Sequence, residues 1–197
     1  VASDSSGNGN DGVVNGAAWT VNGMLNGALE FDGINDSIDI GTLDVSGDSM
    51  TISAWIKADT LTHLRRRDAR IVSKATGTAT QAHYWMLSTI KLGSETALRY
   101  RLKTNASTKT LIATSALTTN TWIHVAAVYD GSQMRLYQDG VQVGSTSKTG
   151  TIDQNAAVSA WIGRNPGGKR PFDGLIDDVQ IHSRALSASE IADLANP

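Results

Sequence analysis

A chain of 197 residues, 40% of them hydrophobic, has enough apolar side chain for one core, while a charged fraction of 18% and a formal net charge of −2 give no global field to draw in nucleic acid or an anionic membrane. Zero cysteines exclude disulfides, thiolate metal sites and cysteine nucleophiles, and no apolar run approaches the roughly 20 residues of a membrane helix. The first residues are polar rather than leader-like, so the sequence is expected to be a mature chain or an excised module, with one domain over 1–197.

Short alternating apolar runs, separated by Gly, Asn, Asp and Thr, predict strands along the whole chain. In order they are ALEFDG (28–33), DSIDIG (36–41), MTISAWIKA (50–58), RIVSKA (70–75), YWMLSTI (84–90), ALRYRLKT (97–104), WIHVAAVYDG (122–131), QMRLYQDG (133–140), AVSAWIG (157–163) and LIDDVQIH (175–182). Asp130-Gly131 and Asp139-Gly140 supply residues that tolerate positive φ, so 122–145 reads as a three-stranded meander. Within it Ile123, Val125, Ala127 and Tyr129 alternate with Trp122, His124, Ala126 and Val128; both faces are largely apolar, which predicts a central strand. One short helix is expected at the C-terminus, where Ser187 and Glu190 make a capping box ahead of Ile191 and Leu194. No βαβ alternation exists, so the chain reads as all-β.

DSSGNGNDG (4–12), GALEFDGINDSIDI (27–40), MTISAWIKA, NTWIHVAAVYDGSQMRLYQDGVQVG (120–144) and GLIDDVQIHSRALSASEIADL (174–194) follow one another in an order that resembles the laminin-G-like family of the concanavalin A-like superfamily over nearly the whole chain. The resemblance implies an antiparallel two-sheet jelly-roll β-sandwich, about six or seven strands per sheet, with the first and last strands adjacent and one short C-terminal helix. It also implies a role: bacterial members serve as accessory or adhesive modules of secreted proteins, often beside carbohydrate-active enzymes. The expectation is a lectin-like, non-catalytic carbohydrate-binding module of a larger multidomain protein, extracellular or at a bacterial cell surface. Its partner would be a polysaccharide or other glycan, without nucleic acid or membrane. A protein-interaction or adhesion module is the alternative, since one fold hosts many functions.

A structural calcium ion is the first candidate site. Parity puts Asp177 on the face of Val179 and Ile181, and Asp36 on the face of Ile38 and Ile40, and an inward carboxylate without a partner is costly. Calcium resolves that cost, with Asp36 and Asp177 as first ligands and Asp4, Asn8 and Asp32 from the neighbouring loops as further ones. The resemblance allows an ion near the paired termini. The competing reading is that these residues cap backbone amides in Asx turns.

A ligand face is the second candidate. Tyr84, Trp85 and Tyr100 are candidates to stack on sugar rings, joined by Arg101 and by Arg164, Asn165 and Arg170 of the loop RNPGGKRPFDG. Trp55, Trp122 and Trp161 fall where the family has core aromatics. Basic residues cluster in sequence at Arg65, Arg66, Arg67 and Arg70, at Arg99, Arg101 and Lys103, and at Arg164, Lys169 and Arg170. If these meet, guanidinium forks favour carboxylated or sulfated glycans; if not, they form a solvated polar face.

Catalysis finds little support. Glu30, Glu95 and Glu190 are the only glutamates and stand apart, unlike the flanking acid pair of glycosidases. Gln180-Ile181-His182 matches a short string of jelly-roll alginate lyases, but it lies inside the terminal strand ahead of SRALS, without the lyase's Lys- and Tyr-containing C-terminal strand. His63, His83 and His124 have no metal-type spacing.

Overall fold

The computed structural model describes residues 1–61 and 68–197. Its strands in chain order are β1 (Val13–Asn15), β2 (Ala18–Thr20), β3 (Ala28–Asp32), β4 (Ser37–Asp39), β5 (Met50–Thr60), β6 (Arg70–Ala75) and β7 (His83–Leu92). They continue with β8 (Glu95–Thr104), β9 (Ser107–Ala116), β10 (Ile123–Tyr129), β11 (Gln133–Gln138), β12 (Val141–Ser147), β13 (Ala160–Ile162) and β14 (Asp173–His182). One helix, α1 (Ala188–Leu194), follows.

The strands form two antiparallel sheets of seven, ordered β1-β4-β13-β6-β7-β8-β9 and β12-β11-β10-β5-β14-β3-β2. This is the jelly-roll sandwich the sequence predicted. One detail differs: β14 pairs with β3 and β5, while β1 lies on the edge of the other sheet. The Phe-Asp-Gly triplets at 31–33 and 172–174 meet in that pairing, with Gly174 opposite Phe31 and Asp173 opposite Asp32.

Alternation sorts the side chains. Trp85, Leu87, Leu98, Tyr100 and Leu102 of the first sheet meet Ile52, Ile56, Val125, Ala127, Tyr129 and Leu136 of the second in one apolar core. As its two apolar faces predicted, β10 is buried throughout. Its other face, Ala126 and Val128, packs with Tyr137 under Leu186 and Ile191. The capping box fixes α1 there: Ser187 Oγ accepts from Glu190 N, and Glu190 Oε2 accepts from Ser187 N at 2.8 Å. Asp139-Gly140 has positive φ at both residues, as a two-residue hairpin turn requires, whereas at Asp130-Gly131 only the glycine does and Asp130 Oδ1 caps Ser132 N and Gln133 N.

The outward face of the first sheet is also partly covered. A loop leaves β13 at Gly163 and returns at Phe172, whose N–H donates to Gly163 O at 2.7 Å. It lies along β6 through Gly163 N to Ile71 O at 2.9 Å and Arg70 N to Arg170 O at 3.0 Å.

Candidate anion-binding groove

Cross-strand register builds one continuous row on the outward face of the first sheet. Asp39 of β4 stands opposite Trp161 of β13, Trp161 opposite Ser73 of β6, Ser73 opposite Met86 of β7, Met86 opposite Arg101 of β8, and Arg101 opposite Thr110 of β9. The neighbouring row runs Arg70, Ser88, Arg99, Ile112. Odd-numbered residues of β8 therefore aim their guanidiniums at the same place as Arg70, and the loop 163–172 adds Arg170 from above.

Three guanidiniums meet there around one carboxylate, and a fourth, that of Arg101, lies beside them. Asp68 Oδ2 accepts from Arg70 Nη1 at 2.7 Å and Arg99 Nη2 at 2.6 Å, and Asp68 Oδ1 pairs with Arg170 Nη1 at 2.9 Å. Among the described residues Asp68 is the only carboxylate paired with the group, and residues 62–67 (THLRRR) hold no acidic side chain to add. Four positive charges against one negative leave a formal excess of three in a place where Arg70 is fully buried and Arg99 nearly so. Burial is the largest force on the Asp68 carboxyl and pushes it up, but the Arg70 charge and the hydrogen bonds from Arg70 and Arg99 outweigh it and hold the group at about 2. Burial also draws Arg70 down to about 10. His83, buried beside Arg70 and Arg101, falls to about 4 and stays neutral, so it adds no further charge.

Asn165 staples the loop to this cluster. Its Oδ1 accepts from Arg70 Nε at 3.2 Å and Ser73 Oγ at 2.8 Å, and its Nδ2 donates to Gly77 O at 2.9 Å. Arg164 lies over the Trp161 ring, 5.3 Å from its centroid. A groove of about 490 Å³ opens beside the cluster, lined by Ile90, Lys91 and Leu92 of β7, Gly93 of the turn that follows, Arg99 and Arg101 of β8, and Thr110 and Ile112 of β9. Charged donors at one end and an apolar floor at the other suit a ligand that is itself acidic at one edge and apolar on one face.

The predicted ligand residues divide accordingly. Arg101 and Arg170 reach the site, Arg164 flanks it, and Asn165 is fully buried, so it positions neighbours instead of facing a ligand. Trp85 and Tyr100 are corrected: both point into the sandwich core, because they share parity with Leu87 and Leu102, and neither offers a ring to a sugar. Tyr84 packs partly against that core, carries Lys103 Nζ 5.0 Å above its ring and accepts from Asn155 Nδ2 at 2.7 Å. Of the predicted core tryptophans, Trp55 is buried against His124, Trp122 is half-buried, and Trp161 belongs to the outward row. Arg65, Arg66, Arg67 and His63 lie outside the described residues. Asp68 is not among the predicted residues, although a lone acid in RRRDAR is a visible signal of paired charge.

The carboxylates predicted to bind calcium are engaged by backbone amides. Asp4, Asn8 and Asp177 border one cleft of about 960 Å³ at the open side of the sandwich. Among the described residues, however, no three Asp, Glu or His side chains are grouped to hold a metal. Their oxygens are engaged by amides: Asp4 accepts from Ser6 N and Asn10 N, Asp32 from Ile34 N and Asn35 N, Asp36 from Asp32 N, and Asp177 from Leu25 N and Asp178 N. These bonds meet the desolvation cost that had suggested a cation. A chelator such as EDTA is therefore expected to leave the melting temperature unchanged; a fall of several degrees would show that the cleft closes on an ion after all.

Residues 32–192 match the family described as the concanavalin A-like lectin/glucanases superfamily, in its laminin-G branch. The chain belongs to that family. Over 153 residues, 75% of the chain, it is 29% identical to adhesion G-protein coupled receptor V1 of Danio rerio, of whose length it spans 2%. Domain 4 of AbnA, an extracellular arabinanase of Geobacillus stearothermophilus solved with arabinotriose, superposes with a TM-score of 0.77 at 24% identity, covering 99% of this chain and 93% of that one. The binding domain of Paraclostridial mosquitocidal protein 1 gives 0.71 at 19% identity, covering 98% of this chain and 48% of that one. Both likenesses are of fold. Among the described residues no helix is long and apolar enough to cross a membrane.

Proposed function

We propose that this family member is a non-catalytic glycan-binding module that works outside the cell as one part of a larger protein, and that it takes an acidic or sulfated polysaccharide on the outward face of its first sheet. The observation that carries the reading is the excess of three positive charges at the head of the groove between β7 and β9. Buried guanidiniums in excess of their carboxylates call for an anion, and their planar forks match carboxylate and sulfate. The arabinotriose complex of the AbnA domain and the extracellular setting of that enzyme support the glycan and the location. The adhesion receptor relative supports a second reading, attachment to an acidic protein surface through the same cluster.

Catalysis is not part of the proposal. Glu190 is committed to Ser187 and Arg184, and Glu30 and Glu95 lie on different sheets. Gln180 and His182 bond to each other at 3.1 Å, with Asp178 beyond them on β14.

Affinity electrophoresis and calorimetry against polygalacturonate, a sulfated galactan and uncharged arabinan test the reading. Acidic polymers are expected to bind, and to bind more weakly as salt rises from about 0.1 to about 1 M, where the Debye length shrinks from ~10 to ~3 Å. No unsaturated product should appear in ultraviolet absorbance during incubation. Failure of every glycan to bind would overturn the glycan assignment.

A further inference from the structure

The four arginines of the cluster are not equivalent. Arg70 and Arg99 spend their guanidiniums on Asp68, on Asn165 and on Ser88 Oγ at 3.2 Å, and Arg170 has Asp68 Oδ1. Arg101 has no carboxylate. Its Nε reaches Thr110 Oγ1 at 3.3 Å and its Nη1 reaches Thr78 O at 3.4 Å, both long and both to neutral oxygens.

The third contact of Arg101 is not a bond at all. Arg101 Nη1 lies 3.3 Å from His83 Nδ1, and His83 Nδ1 lies 2.8 Å from Ala79 O. A carbonyl only accepts, so the imidazole proton sits on Nδ1 and faces two partners, of which Arg101 is a second donor. His83 Nε2 is then the acceptor, and it faces Arg70 Nη2 at 3.5 Å. Arg101 Nη2 has no acceptor among the described residues. Burial comes first and the charge of Arg99 second in lowering Arg101 to about 10.

Arg101 is also the guanidinium placed to meet a ligand. It is half-buried, it lines the groove, and it shares that groove with the apolar side chains Ile90, Leu92 and Ile112. Leu92 is 48% exposed, an open apolar surface that a sugar's C–H face covers.

We infer that Arg101 is the specificity-determining residue of this groove, seating the single acid group of a uronate or sulfated sugar while the ring lies over Ile90, Leu92 and Ile112. The inference rests on the glycan reading above and adds to it which sugar is chosen and by what. Asp68 completes the picture as a built-in anion: it neutralises part of the cluster from within and leaves Arg101 as the vacant partner.

The test compares wild type, Arg101→Gln, Arg101→Lys and the control Arg135→Gln, a charge removed from β11 where Arg135 pairs with Asp130. Calorimetry uses oligogalacturonate, a sulfated galactan oligosaccharide and arabinotriose, each at low and high salt. Wild type is expected to favour the acidic probes. Arg101→Gln should lose about tenfold or more on the favoured one, the value of a charge-assisted hydrogen bond, with a shallower salt dependence and an unchanged melting temperature. Arg101→Lys, a point charge without the fork, should fall between, and Arg135→Gln should match wild type. Should Arg101→Gln melt early, Arg101→Lys decides: weaker binding than wild type supports the inference and equal binding overturns it. Undiminished affinity with the wild-type salt slope in Arg101→Gln overturns it, as does an equal loss in Arg135→Gln. Wild type binding arabinotriose alone overturns this inference and leaves the glycan reading standing. Binding of no probe overturns both.

Discussion

Replacing Asp68 with alanine is expected to cost about 3–5 kcal/mol of stability, because it leaves Arg70, Arg99 and Arg170 around a space with no counter-charge. Asn at this position keeps the shape and one acceptor oxygen, although its amide nitrogen is a donor turned toward a guanidinium, so Asp68→Asn should cost less than Asp68→Ala. The depression of the carboxyl from 3.8 to about 2 sets its scale at about 2 kcal/mol. For a chain of this length that lowers the melting temperature by roughly 4–8 °C.

The pH dependence has a definite sign. The folded-state value lies below the unfolded one, so the contribution of Asp68 is fully present above about pH 4 and is lost as pH falls toward about 2. Asp68→Asn should flatten that acid limb in a series of thermal melts, and a limb as steep as wild type would show that other carboxylates carry it. Binding should move the opposite way to stability. Removing the internal anion raises the cluster's excess charge from three to four, so any Asp68→Asn protein that remains folded should hold an acidic polymer more tightly. A general loss of structure predicts weaker binding, which separates the two effects.

That opposition shows what was legible in the sequence. Strand positions followed from alternation, since β6 and most of β5, β8, β10, β11 and β14 carry period-two runs bounded by turn residues. The strand that escaped, β9, is an edge strand reading STKTLIATSA, whose Thr and Ser occupy positions where apolar residues would have marked it. Its hairpin with β8 turns on Asn105 and Ala106, both at positive φ, and alanine there gives no hint of a turn. β1 and β2, of three residues each, are too short for a period to show.

The site was legible in pieces. Three basic segments far apart in sequence were visible, but whether Arg70, Arg99, Arg101 and Arg170 share a face depends on strand order β6-β7-β8 and on a loop from β13, neither of which residue spacing encodes. The aromatic candidates failed for a simpler reason. In ALRYRLKT the same alternation that turns Arg99 and Arg101 outward turns Tyr100 inward, so a tyrosine and its flanking arginines cannot line one groove. The acidic candidates keep two readings in sequence, because a carboxylate's need for donors is met as well by backbone amides as by an ion, and in the structure amides meet it at Asp36 and Asp177.

Gly163→Ala should test how firmly the loop that brings Arg170 is tied to the core. Gly163 has φ +79, a conformation that costs an alanine about 1 kcal/mol, and a Cβ there would collide with Cδ1 and Cε1 of Phe31. Phe31 is not free to yield: it is 1% exposed and meets Phe172 edge-on, with ring centroids 6.4 Å apart. Overpacking of this kind adds about 1–3 kcal/mol, for a total of about 3 kcal/mol. Gly167→Ala is the matched control, with φ +83 and nothing near its Cβ, so it should show the backbone cost alone. The difference between the two denaturation midpoints at equal m-value then isolates the clash with Phe31. Pairing Gly163→Ala with Phe31→Leu should be less than additive, because a smaller, more adaptable side chain makes room for the new methyl. The displaced Phe31 presses on Phe172, two residues from Arg170, so Gly163→Ala should also weaken acidic-glycan binding where Gly167→Ala does not. Equal midpoints for the two alanines would mean that the Phe31 ring moves aside freely, and that the loop is held through Asn165 rather than through the aromatic pair.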